Sequence, residues 1–192
     1  MKELEERIRK DGKVRPGGIL KVDAFLNHGI DPMLIHAMAL ELKRLYEGMG
    51  VNKILTIEAS GIALAIMTAY EFPCPMVFAK KSKTKNLSDE VWSVEVESFT
   101  HGNTNTVFVS KEYLGPQDRV LIVDDFLATG AALRGLKELV EMAGGTVVGA
   151  GIAIEKVFQG GGNQLRAEGM RIESLTKVAA MTDDEIMFEE DR

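Results

Sequence analysis

The stretch Val120-Leu121-Ile122-Val123-Asp124-Asp125-Phe126-Leu127-Ala128-Thr129-Gly130-Ala131-Ala132 concentrates residues that can do chemistry. An apolar run ends in two adjacent carboxylates, and a Thr-Gly turn then opens the apolar spacing of a helix. A strand-to-helix turn leaves backbone N–H groups unpaired at the positive end of the helix dipole, which makes it an anion site. Gly130 permits close backbone approach, and Thr129 adds a hydroxyl. The turn lacks the lysine and spacing of a GxxxxGK[ST] loop, so the expected anion is a monophosphate held mostly by main chain. Carboxylates touching that phosphate would repel it. Asp124 and Asp125 instead suit vicinal hydroxyls, or a Mg²⁺ ion reached through water. A phosphate with hydroxyls beside it is a sugar phosphate. The competing reading is a plain N-cap pair at a βα turn, where aspartate is common.

Three other places carry candidate chemistry. Glu58-Ala59-Ser60-Gly61 is a second strand-to-helix turn and offers backbone donors again, with an ordinary N-cap as the alternative. Lys80, Lys81, Lys83 and Lys85 crowd one polar loop of an otherwise acidic chain; a solvated charge run is the alternative. Lys156 and Phe158 follow an apolar segment and offer a donor and a ring face, or else a solvent-facing lysine and a core phenylalanine. Upstream, Leu20 to Pro32 is polar and irregular, and Asn27 within it has both a donor and an acceptor. Asn27 could equally cap the turn before Asp31-Pro32.

The elements that must position these residues read as follows. Met1 to Lys10 is a short helix, and Pro16-Gly17-Gly18 marks a turn. Asp31-Pro32 starts a helix that places Leu34, Met38, Leu42 and Leu45 on one face. Residues 52–58 form a strand, 61–71 a helix and 75–80 a strand. Residues 91–99 alternate as a half-exposed strand that turns at His101-Gly102-Asn103 and returns through 106–110. A strand over 119–124 leads to a helix closed by Gly144-Gly145. A nearly all-apolar strand over 146–155 follows, then a short helix near 163–168 and a last strand over 170–178. This order predicts an α/β fold, doubly wound around a mainly parallel sheet. Ligands bind at the carboxyl ends of such strands, which puts Glu58, Asp124 and Glu155 around one crevice.

Bulk properties narrow the classes. The 192 residues carry a formal net charge of -6, which argues against a general nucleic-acid surface. One cysteine, Cys74, excludes an intrachain disulfide and a cysteine metal cluster. No signal-peptide core and no membrane-length apolar run are present, so a cytoplasmic protein without membrane contact is expected.

With VLIV before the two acids and ATG after them, the run resembles the phosphoribosyl pyrophosphate (PRPP) signature of the type I phosphoribosyltransferases. The resemblance to the purine enzymes of that family, in particular those that use xanthine, extends over nearly the whole chain. It implies a single domain, 1–192, with a small hood from about 1–32 and 157–192 over a core of about 33–156. It implies PRPP bound with Mg²⁺, no direct protein ligand to the metal, and a homodimer. Asp124 and Asp125 would hold the ribose hydroxyls, and Ala128, Thr129, Gly130, Ala131 and Ala132 the 5′-phosphate. Glu58, Ala59, Ser60 and Gly61 would hold the pyrophosphate, joined by Lys81 from a loop that closes over the reaction. Leu20, Asn27, Lys156 and Phe158 would meet the base. Guanine- or hypoxanthine-using enzymes and non-catalytic PRPP-binding regulators share the signature and remain alternatives. Two departures stand out. Gly160-Gly161-Gly162-Asn163 replaces a Pro-Gly-Arg type of run, with Arg166 nearby. Ala128 stands where hypoxanthine-guanine enzymes carry an aspartate base.

Overall fold

From the N-terminus, α1 (Lys2–Asp11) leads into an antiparallel hairpin of β1 (Lys13–Arg15) and β2 (Ile19–Lys21). A wide helical turn over Asp23–Asn27 precedes α2 (Pro32–Tyr46), β3 (Lys53–Ile57), α3 (Ile62–Glu71) and β4 (Met76–Ala79). An antiparallel ribbon of β5 (Val91–Glu97) and β6 (Thr104–Ser110) comes next. The chain ends with β7 (Arg119–Leu127), α4 (Ala131–Met142), β8 (Thr146–Lys156), a single tight turn over Val157–Gln159, α5 (Gly161–Ala167), β9 (Ile172–Met181) and β10 (Ile186–Phe188). This computed structural model describes residues 1–81, 90–97, 104–182 and 185–189. Lys83, Lys85 and the expected turn at His101-Gly102-Asn103 lie outside the described residues.

The apolar segments build the main sheet. Among the described residues, six strands pair in the order β10-β9-β8-β7-β3-β4, all parallel except β10. Central parallel strands are covered on both faces, so they read as continuous apolar runs. Alternation along β7 sorts its side chains between two cores. Leu121 and Val123 face α1, α2 and α3 through Ile8, Leu34, Met38, Leu42 and Leu64. Val120 and Ile122 face α4 and the β5–β6 ribbon through Leu133, Leu136, Val94 and Val107. Asp31 starts α2 as its spacing predicts, its side chain accepting from the N–H groups of Met33 and Leu34.

Two expectations are corrected. The segment before Asp31 is not irregular: it is the β1–β2 hairpin followed by the wide turn, anchored by buried Leu20, Val22, Phe25 and Leu26. Its strands are three residues each, too short to show alternation. Within the region assigned to the hood after residue 157, β9 is a strand of the main sheet, in register with β8 from Ala150↔Ile172 to Lys156↔Val178. Among the described residues no helix is long and apolar enough to cross a membrane.

Candidate active site

Both strand-to-helix turns open onto one cleft of about 220 Å³ at the carboxyl ends of β3 and β7. Glu58, Ala59, Ser60 and Gly61 line one side, and Ala128, Thr129, Gly130, Ala131 and Ala132 the other. Asp124, Asp125 and Lys81 line it between them. Gly130, at φ 86°, takes the left-handed conformation that lets the turn enter α4. The Glu58–Ala59 peptide bond is cis. The Glu58 carboxylate accepts the Lys81 main-chain N–H at 2.6 Å, tying the first turn to the start of the lysine run. Lys80, just before it, is pinned by paired main-chain hydrogen bonds to Phe108, 3.0 Å each way. Lys80 and Lys81 are thus both held by main-chain hydrogen bonds at the cleft wall.

The two aspartates differ. Asp124 is 6% exposed, and its Oδ1 accepts the Asp125 N–H at 3.0 Å. Burial, with the neighbouring Asp125 carboxylate, pushes Asp124 well above the ordinary carboxylate range, and the charge of Lys81 offsets this only in part. Burial also raises Asp125, against hydrogen bonds that favour its charged form, among them one from the Asn27 side chain. The two carboxyls thus interact with each other as they line the cleft, and carboxyls placed this way suit a diol.

The residues expected at the base do not line this cleft; of the four, Asn27 and Lys156 touch residues that do. Asn27, at the end of the wide turn before α2, reaches Asp125, and its Oδ1 is buried with no hydrogen-bond partner. Lys156 donates to the Gly18 carbonyl at 3.0 Å, at the tip of the β1–β2 hairpin, and lies 5.3 Å above the Phe126 ring. Burial pushes its ammonium pKa down. Phe158 is 45% exposed on the turn after β8. Leu20 is 5% exposed and packs in the α1–α2 core, so its side chain does not reach a ligand.

Glu155 is not in the crevice. It is 1% exposed and takes a two-pronged ion pair from Arg166, at 2.7 and 2.6 Å, with Ser174 donating at 2.5 Å. Burial alone would raise its carboxyl; the hydrogen bonds from Arg166 and Ser174 and the charge of Arg166 outweigh this and leave it below the usual range. Arg166, in turn, is committed to Glu155 rather than to a ligand.

Phe126 went unrecognised in the sequence, although it lines the cleft and carries Lys156 on its ring. Two adjacent acids read as the end of a strand, yet β7 stays paired to β8 through Leu127↔Glu155. Val96, Asn105 and Val107 of the β5–β6 ribbon also wall the cleft, and nothing local in their sequence marks them.

A doubly wound sheet with two glycine-bearing strand-to-helix turns around paired acids is an arrangement suited to sugar phosphates. The chain belongs to the phosphoribosyltransferase family, with residues 22–161 matching the phosphoribosyl transferase domain. It is 53% identical to a xanthine phosphoribosyltransferase of Finegoldia magna over 99% of this chain and 100% of that protein. It is 51% identical to one of Lachnoclostridium phytofermentans over the full length of both. Among solved structures it resembles an adenine phosphoribosyltransferase of Thermoanaerobacter pseudethanolicus, with TM-score 0.74, 28% identity, and 91% and 99% of the two chains covered. The Rhodothermus marinus adenine enzyme shares the fold at TM-score 0.75, with 24% identity and coverage of 93% and 100%.

Proposed function

We propose that this chain transfers the 5-phosphoribosyl group of PRPP to N9 of xanthine, giving xanthosine 5′-monophosphate and pyrophosphate. The observation that carries this reading is the convergence of the 58–61 and 128–132 turns on one cleft around Asp124 and Asp125. Main-chain N–H groups of 129–132 bind the 5′-phosphate, Asp124 and Asp125 hold the ribose hydroxyls, and 58–61 with Lys81 receive the pyrophosphate. Preorganised donors of this kind hold the leaving group where its charge develops. Bringing the two substrates together in one geometry supplies the rest of the acceleration.

Mg²⁺ accompanies PRPP in this reading. Among the described residues no cluster of three or more His, Cys, Asp or Glu could hold a metal by itself. The carboxylates of Asp124 and Asp125 fit an ion held mainly by substrate oxygens and by water. When bound, the ion neutralises charge on the departing pyrophosphate.

The choice of xanthine is supported by the names of the full-length relatives and by the donor set of the hood. The buried, unpartnered Oδ1 of Asn27 calls for an N–H, and Lys156 supplies a donor for an oxo group. Xanthine offers ring N–H groups and two oxo groups. The ring nitrogens N1 and N3 of adenine are acceptors, and adenine has no oxo group. The protein acts as a cytoplasmic homodimer in this reading. Exposed Met33, Ile66 and Tyr70 on the adjoining helices α2 and α3 support a subunit contact there.

The test is nucleotide formation with Mg²⁺–PRPP and, in turn, xanthine, guanine, hypoxanthine and adenine. Xanthine used fastest by a wide margin is expected. Adenine used best would overturn the base assignment, and guanine or hypoxanthine used best would move it to those enzymes. Saturable PRPP binding without product from any base would favour the regulator.

A further inference from the structure

The 128–132 turn is supported from behind. Gly161, which does not line the cleft, donates its N–H to the Ala128 carbonyl at 3.1 Å. A Cβ on Gly161 would collide with the main chain of Ala128, Thr129 and Gly130. The turn whose N–H groups would meet a phosphate therefore rests on bare glycine backbone at the start of α5.

With seven residues, α5 is too short to hold its place by helix formation alone. Side chains seat it. Arg166, on α5, grips both carboxylate oxygens of Glu155 at the end of β8 and reaches the Ile172 carbonyl at 3.3 Å. Ser174 of β9 holds the same carboxylate. Arg134, on the helix that the turn opens, reaches Glu168 at 2.5 Å and Gln164 at 3.3 Å. A Cβ on Gly162 would overlap the Glu155 carboxylate, so α5 reaches the ion pair only because that position is glycine.

We infer that the Glu155–Arg166 pair, acting through Gly161 and Gly162, positions the 128–132 turn to receive the 5′-phosphate. This rests on the reading of that turn as the phosphate site. Glu155 is 1% exposed and Arg166 commits both prongs to it, so both act through the turn and not on the substrate. Main-chain donors have no rotamers with which to follow a displaced anion, so the turn binds well only where it is held. The Gly160-Gly161-Gly162 run thereby has a role: its first residue leaves the tight turn, its second touches the phosphate turn and its third clears the ion pair.

The test is calorimetric titration with Mg²⁺–PRPP, and steady-state kinetics with the preferred base, on wild type, Gly161→Ala and Arg166→Lys. Gly161→Ala is expected to weaken PRPP binding by about tenfold or more, since misplacement by about 1 Å can cost up to ~100-fold. Arg166→Lys keeps the charge but loses the two-pronged grip, so a smaller loss, about three- to fivefold, is expected. The KM for the base at saturating PRPP is expected to stay within about twofold in both, because the turn does not touch it. Unchanged PRPP affinity in Arg166→Lys overturns the inference, even if Gly161→Ala fails to fold. Equal losses for both substrates also overturn it, because they report general loosening. Wild type that does not bind PRPP overturns the functional reading instead.

Discussion

Asp124 and Glu155 lie toward the carboxyl ends of neighbouring strands of one sheet, and both are almost wholly buried, yet their surroundings are opposite. Glu155 is matched by a guanidinium and a hydroxyl, and its carboxyl lies below the ordinary range. Asp124 has another carboxylate for a neighbour, and its carboxyl lies well above that range. Burial raises both; at Glu155 the donors outweigh it, and at Asp124 a second carboxylate adds to it. A carboxylate that already has its donors contributes to the fold. One whose single main-chain donor, the Asp125 N–H, does not offset its burial costs stability and is available to a ligand. The two strand ends divide these tasks, and the glycine-rich start of α5 joins them.

The comparison breaks or sharpens under substitution. Asp124→Asn is expected to lower kcat by about 100-fold or more, the scale of losing a preorganised group at a reacting centre. PRPP binding should weaken with it. The fold should gain. A carboxyl with a raised folded pKa binds more protons folded than unfolded, so its penalty appears as pH rises above ~4 and grows through its folded pKa. Melting of Asp124→Asn should match wild type in acid and exceed it near neutrality. Glu155→Gln should do the reverse. It strands Arg166, whose side chain is only 28% exposed, and should cost about 3 kcal/mol, the lower part of the range for a broken buried pair. Because the folded pKa of Glu155 is lowered, its contribution is present above the ordinary glutamate range and fades as pH falls through the folded value. Chemical denaturation across pH reads both signs.

Smaller effects follow in order. Lys81→Ala should lower kcat about tenfold, by removing one charged donor from the pyrophosphate side. A kcat unchanged by this substitution would take Lys81 out of the site. Phe126→Leu removes the ring beneath Lys156 and should raise the KM for the base about three- to fivefold, the scale of one cation–π contact. An equal rise in the KM for PRPP would place Phe126 at the sugar instead.

What was legible in the sequence depended on local pattern. The acids and the Thr-Gly turn announce themselves within a dozen positions. So do the Asp31-Pro32 helix start and the helix that ends at Gly144-Gly145, because capping and helical spacing act over a few residues. The division between Asp124 and Glu155 was hidden, since both simply end apolar runs. What separates them is Arg166, brought back by α5, and Ser174, brought alongside by β9. Likewise Gly160-Gly161-Gly162 reads as a departure from a motif until the chain is folded and its neighbour proves to be Ala128. Phe126 was concealed by the acids before it, which suggest that the strand has ended.

The most direct test of this account is the thermal melting of wild type and Asp124→Asn near neutral pH, each with and without saturating Mg²⁺–PRPP. Without ligand the variant should melt higher, and with ligand wild type should gain the larger shift. A variant that melts lower and gains as much from PRPP as wild type would contradict the claim that Asp124 lowers stability in the service of binding.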